Sequence, residues 1–228
     1  MTSEPRRTPA DAPHWHGTGD VVSRPWLYEL TSDVAFLGRR RRTYDDVLSA
    51  ARLRSGDRVL DVGTGPGLLA RRAARRVGPS GHVTGIDPSP DAVEAASRHR
   101  GENLAFEVAA AQRLPFAPQT FDVVVSMLAL HHVGGDELGR ALREMYRVLV
   151  PGGRLVVADF LDGDDEGRRA HAGRGRPRHQ PVAGLSAALA EAGFEVEGHG
   201  SHAHGIGHVA ARRPAEPEPR GAAAVPRP

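Results

Sequence analysis

Apolar residues recur along the middle of this chain with two alternating periods. Five short stretches, RVLDV (58–62), HVTGID (82–87), LAFEV (104–108), FDVVVSM (121–127) and RLVVADF (154–160), are rich in β-branched residues. Four of them are near-continuously apolar, as strands buried on both faces are. Between them the period lengthens to that of a helix. Leu69, Ala70, Ala73, Ala74 and Val77 share one helical face, and Arg71, Arg72, Arg75 and Arg76 fall on the other, a solvated one. Leu138, Ala141, Leu142, Met145, Val148 and Leu149 repeat the pattern, and Pro151-Gly152-Gly153 is expected to stop that helix, as Gly78 stops the earlier one. Strand alternating with helix predicts an α/β fold, a doubly wound, mostly parallel sheet with right-handed crossovers. Near the end, Leu185, Ala188, Leu189 and Ala192 align on a last helix capped by Gly193, and FEVEG and GHVAAR read as two final strands that pair.

The flanks lack this pattern. Residues 1–22 are polar and rich in Pro and Gly, and read as a flexible arm. Residues 23–55 suggest a helical lid of two short helices interrupted near Gly38. The patterned domain is expected over 56–212, with a linker after Phe160 and a disordered Pro/Ala-rich tail over 213–228. A length of 228 residues at 39% hydrophobic supports one core. Basic and acidic residues nearly balance at 30 against 28, and every basic one is Arg, which suits a GC-rich bacterial gene. No apolar run reaches membrane-spanning length and the N-terminus lacks a signal-peptide core, so a cytoplasmic protein without a membrane partner is expected. With Cys at 0, disulfides, thiolate metal sites and cysteine nucleophiles are excluded.

The candidate chemistry starts at VLDVGTGPGLLA, where a strand runs into a Gly-rich turn and a helix. Such a turn lets a ligand approach bare backbone and aims helix N-terminal amides at it. A dinucleotide fingerprint requires G-x-G-x-x-G, but Leu68 stands where the third glycine belongs, and a phosphate-binding Walker loop requires the lysine this chain lacks. Asp61, two residues before Gly63, opposes a pyrophosphate and suits an amino group. Asp87, closing the second strand, is placed to accept hydrogen bonds from both ribose hydroxyls. An amine, a ribose and no phosphate together describe S-adenosylmethionine.

With these motifs in order, residues 56–160 resemble the class I SAM-dependent methyltransferases. The specific likeness is to the small type 11 group that includes the ubiquinone/menaquinone-biosynthesis enzymes. VLDVGTGPG is similar to that family's first motif, which implies that Asp61, Gly63, Thr64, Gly65 and Gly67 hold the methionine portion of the cofactor. GIDPSPDAV is similar to the second, implying Asp87 on the ribose and Pro88 beside the adenine. QRLPFAPQTFDVVVSMLALHHV and EMYRVLVPGGRLVVADF match the later motifs, with Ser126 counted among the cofactor-binding residues. The resemblance implies a Rossmann-like fold with an antiparallel last strand. One position departs from the family: Ala110 stands where an Asp usually accepts the adenine amino group. One such hydrogen bond is worth about 0.5–1.5 kcal/mol, up to roughly tenfold in affinity. The backbone of Ala111 and the side chain of Gln112 are the candidate substitutes.

Methyl transfer needs a base only when the acceptor must lose a proton. His131 and His132, after the fourth strand, are the candidates; the competing reading is that they only shape the pocket. No metal is expected. His199, His202, His204 and His208 read as a solvated polar turn, and Asp159, Asp162, Asp164 and Asp165 as a surface loop. The arginine runs at 39–42 and 168–178 carry no interleaved aromatics, so nucleic acid is not the expected partner. The fourth strand ends in SMLALHH and not in the Asn/Asp-Pro-Pro-Tyr/Phe of base-amino methyltransferases, which favours a small-molecule acceptor. The competing readings are a degenerate, non-catalytic SAM-fold protein and an RNA methyltransferase. Acceptor, methylated atom and oligomeric state are not legible in these residues.

Overall fold

The computed structural model describes residues 40–99, 101–160, 182–202 and 205–215. A seven-stranded sheet organises them, with strands β1 (Arg58–Val62), β2 (His82–Asp87), β3 (Leu104–Val108), β4 (Phe121–Met127), β5 (Leu149–Phe160), β6 (Glu195–Ser201) and β7 (Ile206–Arg212) in the order β3-β2-β1-β4-β5-β7-β6. Pairings among β1 to β5 are all parallel, and β7 runs antiparallel between β5 and β6. The helices are α1 (Arg40–Ala50), α2 (Leu68–Val77), α3 (Pro90–Ser97), α4 (Asp136–Val148) and α5 (Val182–Glu191). The expected α/β fold is the observed one.

Alternation along the strands builds two cores. Leu60, Val62, Val124, Leu155 and Val157 point to one face, under Leu138, Leu142 and Met145 of α4 and Leu185 and Leu189 of α5. Val59, Val123, Val125 and Val156 point to the other, under Tyr44, Val47 and Leu48 of α1 and Leu69, Ala70, Ala73 and Val77 of α2. Because both faces are covered, the central strands read as unbroken apolar runs. The chain leaves β1 toward β2 on one side and reaches β4 on the other, so a crevice opens between the carboxyl ends of β1 and β4, where open α/β sheets bind ligands.

Several expectations need correction. The fifth strand begins at Leu149, not at Arg154, and Pro151-Gly152-Gly153 lies inside it; α4 has already ended at Val148. Arg213 closes that helix, its Nη1 donating to the carbonyls of Tyr146, Arg147 and Leu149 at 3.1, 3.4 and 2.7 Å. Arg213 N also donates to Gly153 O at 2.9 Å, so ordered contacts run past the expected domain boundary at 212. On α2, Arg72 and Arg76 are not merely solvated: both bind the Asp45 carboxylate of α1, at 2.9 and 3.1 Å. His202 and His208 are not a solvated turn either. The His202 side chain is buried, its Nε2 is 2.8 Å from Nδ1 of His208, and the rings stack at 4.9 Å. The N-terminal arm, the break near Gly38, the 161–181 linker with its Asp and Arg runs, His204 and residues 216–228 lie outside the described residues.

Candidate functional site

The glycines after β1 divide by what surrounds them. A Cβ on Gly63 would lie 2.2 Å from the Cβ of Ala129, and one on Gly67 would meet the Phe106 ring at 2.7 Å. These two glycines therefore serve packing: Gly63 lets the loop press on the segment after β4, and Gly67 lets α2 start against β3. A Cβ on Gly65 meets nothing within 4 Å. Its backbone, at φ 53°, borders open space and is the surface a ligand would approach. The loop is shaped from below, where Gly63 N and Thr64 N both donate to Ile86 O at 2.9 Å.

Asp61 is buried beneath this loop and accepts a 2.7 Å hydrogen bond from the Thr64 hydroxyl. Burial pushes its carboxyl up to about 7, and the nearby Asp87 charge adds to the rise against the hydrogen bonds from Thr64 and Ala70. A carboxylate in that position gains strongly from a cationic ligand group. Asp87 stands at the rim, its Oδ2 accepting from Gly65 N and its Oδ1 from Ser89 N, both at 2.9 Å. It bridges the glycine loop to the N-terminus of α3 and keeps lone pairs for hydroxyl donors. Burial raises its pKa too, and the two backbone donors oppose the rise.

Pro88 is exposed beside Asp87, and the segment after β3 flanks them, with Ala109 N donating to Asp87 O at 3.1 Å. A tight turn follows, Arg113 N donating to Ala110 O at 3.1 Å, with Ala110 and Ala111 buried and Gln112 half-buried. Asp87 thus links the Gly65 backbone to the segment that leads into the Ala110–Gln112 turn, with Asp61 buried beneath the loop. Ser126 sits differently: it is fully buried and its hydroxyl donates to Val62 O at 2.9 Å, tying β4 to β1.

The two histidines lie side by side, ring centroids 3.9 Å apart, but differ in burial. His132 is exposed, whereas His131 is buried in a short 3₁₀ turn at Leu130–His132. Its Nδ1 lies 2.8 Å from Oδ1 of Asp159, and its backbone N donates to Oδ2 of the same carboxylate at 3.0 Å. Asp159 is therefore no part of a surface loop; it is a buried residue of β5 that orients an imidazole. Nothing in the residue pattern paired them, although both sit at the carboxyl ends of adjacent strands, which was the available signal. Leu128, just upstream, holds a φ of 54°, a conformation costly for a leucine. The Ala129 contact with Gly63 brings this histidine turn beside the glycine loop. Among the described residues, no group of three or more His, Asp or Glu is placed to hold a metal ion.

Residues 59–153 match a family described as a methyltransferase domain. Over those residues the chain is similar to methyltransferase domains. The fold of a SAM-dependent methyltransferase from Aquifex aeolicus superposes on it with a TM-score of 0.69 at 21% identity, covering 83% of this chain and 98% of that one. The [4+2]-cyclase SpnF aligns with a TM-score of 0.63 at 26% identity, covering 77% of this chain and 81% of its own. The ubiquinone/menaquinone biosynthesis C-methyltransferase UbiE of Hahella chejuensis is 36% identical over 138 residues, covering 58% of this chain and 55% of that protein. The UbiE of Ectopseudomonas mendocina is 39% identical over 139 residues, covering 58% and 53%. The chain spans about half the length of these curated relatives. The Aquifex protein is described as dependent on S-adenosylmethionine, and the residues here fit that cofactor: a cradle at Gly65 that a side chain would fill, a buried carboxylate for an ammonium, and a rim carboxylate for a diol. No helix among the described residues is long and apolar enough to cross a membrane.

Proposed function

We propose that this protein is a cytoplasmic methyltransferase whose acceptor is a small molecule carrying an acidic hydroxyl of phenol or enol type. It methylates that oxygen or the carbon conjugated with it. The observation that carries this reading is the buried His131–Asp159 pair beside the glycine loop. Asp159 accepts a hydrogen bond from Nδ1–H of His131, so Nε2 holds the basic lone pair, and the backbone N of His131 fixes the carboxylate in turn. Removing the acceptor's proton turns a weak nucleophile into an oxyanion with electron density on oxygen and on the ortho carbon. Such chemistry also accords with relatives whose names describe C-methylation in quinone biosynthesis.

In this reading Asp61, with the Gly63–Gly67 backbone including Thr64, holds the amino-acid end of S-adenosylmethionine. Asp87 takes the ribose, and Pro88 and the Ala110–Gln112 turn flank the adenine. When bound, the cofactor supplies an electrophilic methyl on a sulfonium. The protein's work is then to align the acceptor in line with that methyl and to exclude water. The likeness to the SpnF cyclase favours one other reading, a SAM-type fold whose chemistry is not methyl transfer.

A screen of phenols, hydroquinones and enols with radiolabelled cofactor tests the proposal. His131→Gln should lower kcat by about 10²-fold or more with cofactor affinity unchanged, within the range general-base catalysis supplies. A wild type that binds S-adenosylmethionine yet labels none of these acceptors would contradict it, as would undiminished turnover in His131→Gln.

A further inference from the structure

Two residues of α4 that touch neither core nor crevice grip the segment that flanks the adenine position. Glu144 and Arg147 stand one turn apart and form a bidentate pair, Arg147 Nε to Oε1 at 2.7 Å and Nη2 to Oε2 at 2.8 Å. Each also holds backbone across the gap. Glu144 Oε2 accepts from Leu114 N at 2.8 Å, while Arg147 donates from Nη2 to Leu114 O at 3.0 Å and from Nη1 to Phe116 O at 2.7 Å. Three main-chain groups of an irregular segment are thereby satisfied by one side-chain pair.

The segment is thus pinned twice. Its upstream end is held to Asp87 O through Ala109 N, and its downstream end by the α4 pair. The turn Ala110–Arg113 hangs between these points. Since Ala110 offers no carboxylate, recognition of the adenine edge falls to the backbone of this turn and to the Gln112 side chain it carries, and either is only as selective as its position is fixed. We infer that the Glu144–Arg147 pair is a positioning clamp that sets the enzyme's selectivity for the adenine ring. This rests on the proposed placement of adenine beside residues 110–112. Arg147 also holds the Glu144 carboxyl below its ordinary pKa.

Calorimetry on the full chain tests the inference with two probes, S-adenosylhomocysteine and S-inosylhomocysteine, whose ring edges differ at the amino group and at N1. The wild type should favour the adenine form by about tenfold or more, a margin of one or two hydrogen bonds. Arg147→Met keeps the apolar stem and should weaken the adenine form while bringing the ratio toward one. Glu144→Gln keeps one acceptor and should fall between. Hydrogen exchange should quicken at the amides of residues 111–114 and 116 and stay unchanged in β1 and β4. If Arg147→Met melts below the assay temperature, Glu144→Gln carries the comparison. Equal losses for both probes, or an unchanged ratio, would reduce the pair to a stabilising contact and overturn the clamp. A wild type that binds both probes equally overturns it as well. Binding of neither probe by the wild type overturns the cofactor reading beneath it.

Discussion

Single side chains make the sharpest predictions. Asp61 links cofactor binding to pH, because burial lifts its carboxyl to about 7 and a cofactor ammonium requires the ionised form. Affinity should therefore rise with pH up to about 7, at most tenfold per unit, and fall again above about 8 as an α-amino group loses its proton. Calorimetry across that range checks it, and Asp61→Asn should flatten the acid limb. For the empty protein the sign is opposite. The folded state holds that proton more tightly than the unfolded chain, so this group costs stability as pH rises from about 4 toward 7. Asp159→Asn offers His131 an amide in place of a carboxylate and permits the wrong tautomer. Turnover should fall about 10²-fold or more without loss of cofactor binding, as steady-state kinetics beside calorimetry would reveal. At Ala110, an introduced Asp should tighten the cofactor by up to about tenfold if the adenine amino group lacks an acceptor. If Gln112 already serves, Gln112→Ala should weaken binding instead, and unchanged affinity in both variants would displace adenine from this turn.

Among the elements, the glycine loop separates packing from binding. Gly63→Ala must displace Ala129 and with it the histidine turn, so it should lower both stability and turnover; Gly65→Ala meets no protein atom and carries only the strain of a side chain at φ 53°, about 1 kcal/mol, so it should lower cofactor affinity more than stability. Thermal melts set against binding constants distinguish the two. Asp45→Ala cuts both arginine links between α1 and α2. Asp45 is half-exposed, so the loss should stay under about 1 kcal/mol, a fall of a few degrees in Tm. That contact also marks where the residue pattern stops being informative. Strands β1, β2 and β4 are legible because burial on both faces writes itself as apolar runs, and Gly78 and Gly193 are legible because each ends its helix with positive φ. Pairings between distant residues leave no local trace. Asp45 with Arg72, His202 with His208 and His131 with Asp159 are set by which strands and helices become neighbours. The start of β5 was obscured because Pro151 and its two glycines imitate a loop, while the Arg213 backbone pairs with them from beyond β7.

At the scale of the whole molecule, ligand binding should register as stability. Cofactor at about 100 times its Kd adds about 2.7 kcal/mol. For a domain of this size that is a rise of roughly 5–10 °C in Tm. NAD should give no comparable rise, since Leu68 stands where a dinucleotide loop has its third glycine and Asp61 beneath the loop opposes a pyrophosphate when ionised. The central claim is that the strand-to-helix loop between β1 and α2 is the cofactor cradle, and its most direct test is one calorimetric comparison. S-adenosylhomocysteine titrated into the wild type at neutral pH should bind with one site per chain. In Gly65→Val, whose side chain enters the open space that Gly65 leaves and strains a backbone at φ 53°, binding should fall below detection while the protein stays folded at a lower Tm. Equal affinity in the two proteins, or no binding by a folded wild type, would contradict the account.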